Sequence, residues 1–342
     1  MDILIMVLGF ALAAYSVVGN DVIQTLGTFL TSNEHRPWWV LWLYAGGILS
    51  VVLILGYTGN GGFLGGDDVT FDRLDNILIP ETLSWWYILP PLILLFITRW
   101  GIPVSTTFLI LSFFSTKSLP GMLTKSLIGY GIAFGAAIVI YMLISKALER
   151  KVQQKPLLTG STNFWQSRRF WTGAQWLSTG FLWTQWLTQD LANIFIYLGR
   201  PEELSVGMFS LAMVIILGLL GYIFYVKGGA IQSIVSSKTN TADIRSATFI
   251  DLIYGFVLLL FKQNLLGLWE AKLPMSTTWV FLGLLAGREL AIRIQIGPKP
   301  NGKLRNMIFS DIGKAAIGLI VSISLVVLLK LVEGQSLTGL FE

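Results

Sequence analysis

The chain contains no cysteine and a single histidine, and only 13% of its 342 residues are charged. Without cysteine, neither a disulfide framework nor a thiolate metal site can form. A soluble chain carries roughly a quarter charged residues, so an ordinary water-soluble globule is excluded. The one histidine, His35, lies in a short polar loop and reads as solvated rather than catalytic. The first apolar run has no basic leader and no small-residue cleavage site, so it reads as a retained helix, not a signal peptide. The net charge of +5 implies no nucleic-acid partner, because the basic residues flank apolar runs, as orientation in a bilayer requires.

Apolar length is what the chain has in excess. Hydrophobic residues make up 54% of it, and the clearest runs are 1–18, 38–57, 84–98, 122–146, 205–226, 249–269 and 307–331. One bilayer crossing takes about 20 residues. The fold class expected is therefore an all-α, multi-pass integral membrane protein of the cell (plasma or inner) membrane, with the lipid bilayer as its surroundings. Trp38, Trp39 and Trp42, and Trp85, Trp86 and Tyr87, read as interfacial aromatic belts. Gly61-Gly62 with Gly65-Gly66 reads as a flexible loop.

Two landmarks recur in the same order. Gly19-Asn20-Asp21-Val22-Ile23-Gln24 returns as Thr188-Gln189-Asp190-Leu191-Ala192-Asn193, and Pro103-Val104-Ser105-Thr106-Thr107 returns as Pro274-Met275-Ser276-Thr277-Thr278. The Asp-to-Pro intervals are 82 and 84 residues. The spacing divides the chain into a first transmembrane repeat (1–146), a linker (147–169) and a second repeat (170–342). Each repeat is expected to hold an Asp-bearing helix, a second helix, a run ending at the Ser-Thr-Thr motif, a short apolar stretch and a final long helix. Phe108–Ser115 is too short to span, so with 84–98 it reads as a re-entrant hairpin whose tip is the motif. The polar triplet Lys262-Gln263-Asn264 interrupts the matching run, 249–269. Three crossings and a hairpin are an odd count, so the second repeat is expected to be inverted, each repeat holding a broken helix and a re-entrant helical hairpin.

Charge bias gives this topology a direction. Lys146, Arg150, Lys151, Lys155, Arg168 and Arg169 against Glu149 make the linker cytoplasmic, and both termini are then expected outside. The loop with Asp67, Asp68, Asp72, Asp75 and Glu81, where Arg73 is the one basic residue, falls outside. Lys227, Lys238, Arg245, Arg288, Arg293, Lys299, Lys303 and Arg305 fall inside.

Asp21 and Asp190 lie within apolar stretches, where a carboxylate at the bilayer centre costs about 2.5–3.5 kcal/mol on insertion scales and usually faces a cavity or an ion. Gln24 is three residues past Asp21, and Asn193 three past Asp190, which on a helix is the same face. Carboxylate and amide oxygens together make a hard, oxygen-lined cation site. The alternative is that each Asp caps the second half of a broken helix and binds nothing. Pro before Ser-Thr-Thr favours an extended residue and then a new helix start. Such a start presents unpaired N–H groups and a partial positive charge, which suit an anion. The hydroxyls of Ser105, Thr106, Thr107, Ser276, Thr277 and Thr278 add neutral donors, and ordinary helix capping is the competing reading. Arg99 and Lys272 precede the motifs and read as snorkelling toward an interface rather than lending charge to the anion.

On these motifs the chain resembles the inorganic phosphate transporter (PiT) family, whose repeats each carry a Gly-Ala-Asn-Asp-Val-Ala-Asn-Ala and a Pro-Val-Ser-Thr-Thr-His signature. Asn20, Asp21, Gln189, Asp190 and both Ser-Thr-Thr sets fall on signature positions. The resemblance implies a transporter that imports inorganic phosphate with sodium or protons as the coupling cation, with no other cofactor and no enzyme activity. It assigns the cation to Asp21, Asp190, Gln24 and Asn193, and the anion to the hydroxyls with Asn20 and Gln189. A homodimer is left open. The chain departs from the pattern at Gln24 and Gln189, where the family has Asn, and at Phe108 and Trp279, which replace the histidine after each motif. The helix 38–57 also lacks an acidic residue often present in the family. These departures keep sodium and protons, and phosphate and sulfate, open as alternatives. A remote alternative of another class is an intramembrane magnesium-dependent enzyme built on Asp67, Asp68 and Asp72.

Overall fold

The computed structural model describes residues 3–99, 104–152, 157, 158, 161, 163, 165–228, 232, 244–267, 269, 270, 272–295, 313, 316–328 and 331. Pro103, Lys155, Lys238, Lys299, Lys303, Arg305, both termini and parts of the linker and of the 307–331 run lie outside them.

Helix α1 (Ile3–Val17) passes through one π-helical turn, Val18–Val22, into α2 (Ile23–Ser32). The interruption expected at Asp21 thus takes the form of a widened turn inside a 30-residue apolar span, with Val17 and Val22 both at right-handed angles. A π turn slips one residue into the winding and re-aims the side chains on it, and such turns are frequent at functional sites. Helix α3 (Trp38–Tyr57) follows Pro37, whose extended backbone starts it afresh. A short 3-10 turn, Trp85–Ile88, leads into α4 (Leu89–Arg99), and α5 (Thr106–Phe114) is only nine residues long. Helix α6 (Leu119–Val152) closes the first repeat and, at 34 residues, outruns the expected 122–146 at both ends.

In the second repeat α7 (Arg168–Asp190) runs through Leu191, which keeps helical angles, into α8 (Ala192–Phe195), and Gly199 at φ 88° ends the run. Helix α9 (Val206–Tyr225) starts at Ser205, whose hydroxyl accepts the Met208 N–H. Helix α10 (Ile244–Lys262) begins before the apolar run at 249 and stops at the polar triplet, with Asn264 at φ 46°. Helix α11 (Thr277–Gln295) has 19 residues where a short stretch was expected. The reason is local: Ser115, a 3-10 turn and Pro120 end the first-repeat arm, whereas Leu284-Leu285-Ala286 and Glu289-Leu290-Ala291 favour helix throughout. Helix α12 (Ala316–Leu328) is the described part of the final run, and its Gly318 sits against Val104 at the first motif.

Two close helix pairs hold the centre. A Cβ at Gly283 or Gly287 of α11 would strike the backbone of Tyr130 or Phe134 on α6, so this small-x-x-x-small stripe sets that approach. On α10, Gly255 likewise faces Phe181 and the Leu182 backbone of α7. Trp42 Nε1 donates to Leu217 O at 3.0 Å and binds α3 to α9. The outward faces of α3, α6 and α9 leave large aliphatic side chains such as Val51, Leu143 and Val214 exposed. In water that would be an aggregation hazard; against acyl chains it is the ordinary arrangement.

The glycine-rich segment is not a slack loop. Gly65 takes φ 99°, and a Cβ on Gly66 would collide with the backbone of Phe71. This chain crossing folds residues 61–75 inward and buries Val69, Phe71 and Arg73. Only glycine permits so close a backbone approach.

Candidate functional site

The two Ser-Thr-Thr motifs and the two Asp residues meet at one place, and they do so crosswise. Thr106, on its own repeat, donates to Asp21 Oδ2 at 2.5 Å, and Thr278 of the other repeat reaches Asp21 Oδ1 at 3.3 Å and Val104 O at 3.2 Å. Thr107 makes the matching exchange, reaching Asp190 Oδ1 at 3.4 Å and Met275 O at 3.2 Å. The third residue of each motif thus crosses to the carboxylate and the tip carbonyl of the opposite repeat. All five side chains are buried. Helices α5 and α11 both begin here, so the positive ends of two helix dipoles converge on the hydroxyls.

The serines have a different task. Ser105 Oγ accepts the Phe108 N–H at 3.2 Å, and Ser276 Oγ accepts the Trp279 N–H at 3.3 Å, so both cap their helices. Thr277 lies at the start of α11, where its carbonyl accepts the Tyr254 hydroxyl at 3.0 Å. Phe108 and Trp279, at the positions after the motifs, meet edge to face at 5.3 Å and seal the site with rings.

The amides divide into two groups. Asn20 Nδ2 donates to Asp21 Oδ1 and to Val104 O, each at 2.7 Å, and Gln24 Nε2 donates to Asn20 Oδ1 at 3.2 Å. Asn193 Nδ2 donates to Asp190 Oδ1 at 2.8 Å and lies 3.2 Å from the Thr106 hydroxyl. Gln189 is turned away from the hydroxyls: its Nε2 donates to Leu258 O at 3.1 Å, and its Oε1 accepts from Arg73. Among the described residues, the buried oxygens without a hydrogen-bond partner include three in this centre, Gln24 Oε1, Asp190 Oδ2 and Asn193 Oδ1. Buried acceptors are normally paired. Three unpaired ones, all oxygen and all on the carboxylate–amide sets, are the donor chemistry of a hard cation.

Sequence reasoning passed over Arg73. It is wholly buried, and its guanidinium reaches Thr188 O at 3.4 Å, Leu273 O at 3.2 Å and the Gln189 side chain. As one basic residue in an acidic loop it carried no signal; the chain crossing at Gly66 brings it in. Lys125 on α6 donates to Glu270 O and Leu273 O, and Lys262 on α10 donates to Phe71 O, so three cations line the same mouth.

The remaining predicted residues lie apart. Arg99 and His35 are exposed. Lys272 pairs with Asp75 at 2.5 Å and Asp72 at 3.3 Å, and the hydrogen bond it donates to Asp75 holds its ammonium above the ordinary lysine pKa. Asp68 accepts from the Thr70 hydroxyl at 2.7 Å and closes its own turn. Asp68, Asp72 and Asp75 bring carboxylate oxygens within 4.8 Å of one another, and Lys272 pairs with two of the three while Thr70 bonds the other.

Fold and site define a class: a membrane protein, helical throughout its described residues, in which two helix starts and two carboxylates enclose a buried polar centre. Among solved structures the chain is similar to one described as the sodium-dependent phosphate transporter, with 16% identity and a TM-score of 0.63 over 96% of this chain and 98% of that one. No family profile and no curated protein matches the sequence. At this identity the likeness establishes the fold.

Proposed function

We propose that the chain is a secondary transporter that imports inorganic phosphate together with sodium or protons by alternating access, its repeats inverted and its linker cytoplasmic. The observation that carries this reading is the crosswise hydroxyl exchange around two carboxylates, beside three unpaired buried oxygens. A threonine has one O–H to donate. In the structure Thr106 and Thr278 give theirs to Asp21. A cation on the carboxylate–amide oxygens neutralises the charge and occupies those lone pairs, which frees the hydroxyls to turn to a tetrahedral oxyanion at the two helix starts. Anion and cation then bind together, because neither carboxylate nor oxyanion is tolerable alone at that depth. Asp21, Asp190, Gln24 and Asn193 supply the cation oxygens; Asn20, through Val104 O, holds the first tip beside the anion, and Gln189 ties Arg73 to the second Asp motif.

The deciding experiment is uptake of labelled phosphate by the purified chain in proteoliposomes, under a sodium gradient and separately under a proton gradient. Phosphate and arsenate are expected to compete and one gradient to accelerate uptake. Indifference to both gradients sinks coupled phosphate transport, and stronger competition by sulfate than by arsenate reassigns the oxyanion.

A further inference from the structure

Away from this centre lies a second buried carboxylate. Asp251, on α10, is fully buried; Thr28 of α2 donates to its Oδ1 at 2.7 Å and Thr179 of α7 to its Oδ2 at 2.5 Å. Seven residues separate Thr28 from Asp21, so the pair lies about 10 Å along the helix from the centre, toward the linker end of α7. No charged side chain bonds to Asp251 among the described residues. Helix α2 carries no titratable group. On the other elements packed around it, Tyr44 of α3 donates to Trp176 O, Tyr254 to Thr277 O, Arg245 to Trp165 O, and Arg288 of α11 to Ser246 Oγ. Arg168 and Arg169 sit at the far start of α7 and Asp190 at its other end; α6 carries Lys125, Tyr130 and Tyr141, and on α11 Glu289 pairs with Arg293.

The two threonines behave unlike their neighbours. Thr25, Thr31, Ser32, Thr172 and Thr184 all return their hydroxyls to the carbonyl four residues back, the usual habit within helices. Thr28 and Thr179 forgo that bond for Asp251. Each therefore has a second partner at hand, Gln24 O or Gln175 O. Each hydroxyl lies at hydrogen-bond distance from its own carboxylate oxygen, 2.7 and 2.5 Å, and a proton added there needs no room. Asp251 also stands on a continuous polar line. Asp21, Thr25, Thr28 and Ser32 fall at i, i+4, i+7 and i+11, one helix face, and Ser32 accepts from Gln175 at 2.6 Å. The line ends near an open groove lined by Thr31, Glu34, Arg36, Lys227 and Gln232. On α10 itself, Tyr254 is three residues from Asp251 and bonds the start of α11.

We propose that Asp251 with Thr28 and Thr179 is a proton-binding site on the inner leg of the pathway, which takes up and releases one proton per transport cycle; this rests on the transport reading above. On protonation an O–H bond forms at one carboxylate oxygen, the donor being a hydronium ion or water at the groove. The hydroxyl that had donated to that oxygen turns to its own carbonyl four residues back. Release reverses both changes, so the site switches hydrogen bonds by rotation of a threonine side chain.

The test uses the full chain with two readouts. In proteoliposomes, an inward proton gradient is expected to accelerate wild-type phosphate uptake; Asp251→Asn should lose that acceleration, at least about fivefold, yet keep phosphate–phosphate exchange, and Asp251→Glu should restore it. In infrared difference spectra over a pH titration, a protonated-carboxyl band should appear in the wild type and vanish in Asp251→Asn. Should Asp251→Asn fail to fold, Thr28→Val and Thr179→Val each remove a donor to the carboxylate and must move that band to higher pH. A spectrum without a residue-251 band, or an unmoved band in the threonine variants, overturns the site. A band with gradient acceleration unchanged in Asp251→Asn overturns the relay. If wild-type vesicles carry no phosphate, sulfate or arsenate, the transport reading fails, and the infrared titration alone decides whether Asp251 takes a proton.

Discussion

Thr106 and Thr278 approach one carboxylate from two repeats, and that geometry makes single-atom changes informative. Thr106→Val removes the hydroxyl while keeping the shape, and should lower phosphate uptake about tenfold or more, whereas Thr106→Ser should retain most of it, because Asp21 Oδ2 then loses its donor, a loss that costs about 1–3 kcal/mol at a buried site. Asp21→Asn and Asp190→Asn should each abolish gradient-driven uptake; normal transport by both would remove the cation assignment. Gln24→Ala, which deletes one unpaired oxygen, should raise the cation concentration needed for half-maximal uptake with little change in folding. At this scale the sequence was eloquent wherever polarity clashed with its surroundings. Asp21, Asp190 and the threonines stand out because an apolar run has no other use for them. Asp251 gave the same signal within the 249–269 run and was overlooked. Arg73 gave none, since its neighbours in sequence are those of a solvated loop.

Helix pairs depend on how closely their backbones approach. Gly287→Val would push a branched side chain into the Phe134 backbone and should destabilise the α6–α11 pair by about 1–3 kcal/mol, read as a lower unfolding midpoint in detergent. Gly131, on α6, has open space at its Cβ position, so Gly131→Ala should be neutral or stabilising. Gly66→Ala should unseat the 61–75 segment and with it Arg73, lowering uptake more than stability. Most elements were legible from apolar length alone, as α3 and α9 show. Helix α7 was not: with Gln175, Thr179, Gln185 and Gln189 on it, hydropathy fails, and only the repeated Asp motif announced it. Its polarity is tolerated because those side chains turn inward, Gln175 to Ser32 and Thr179 to Asp251.

The whole molecule turns on whether its repeats face opposite ways. The chain has no native cysteine, so single-cysteine labelling is clean. Asn60 and Lys227, exposed residues after equivalent helices α3 and α9, should be labelled from opposite sides, Asn60→Cys from outside and Lys227→Cys from inside. Labelling of both from one side would rule out inversion. The amino-acid sequence by itself determined the membrane class, the recurrence of two motifs, the two carboxylates and the hydroxyl-bearing segments, because each is a matter of local polarity against a fixed apolar length. Tertiary structure alone decided which hydroxyl serves which carboxylate, which oxygens go unpaired, and that a loop arginine enters the centre. Those outcomes depend on contacts between residues far apart in the chain, such as Thr278 with Asp21 and Arg73 with Gln189, and on glycines that let two backbones touch.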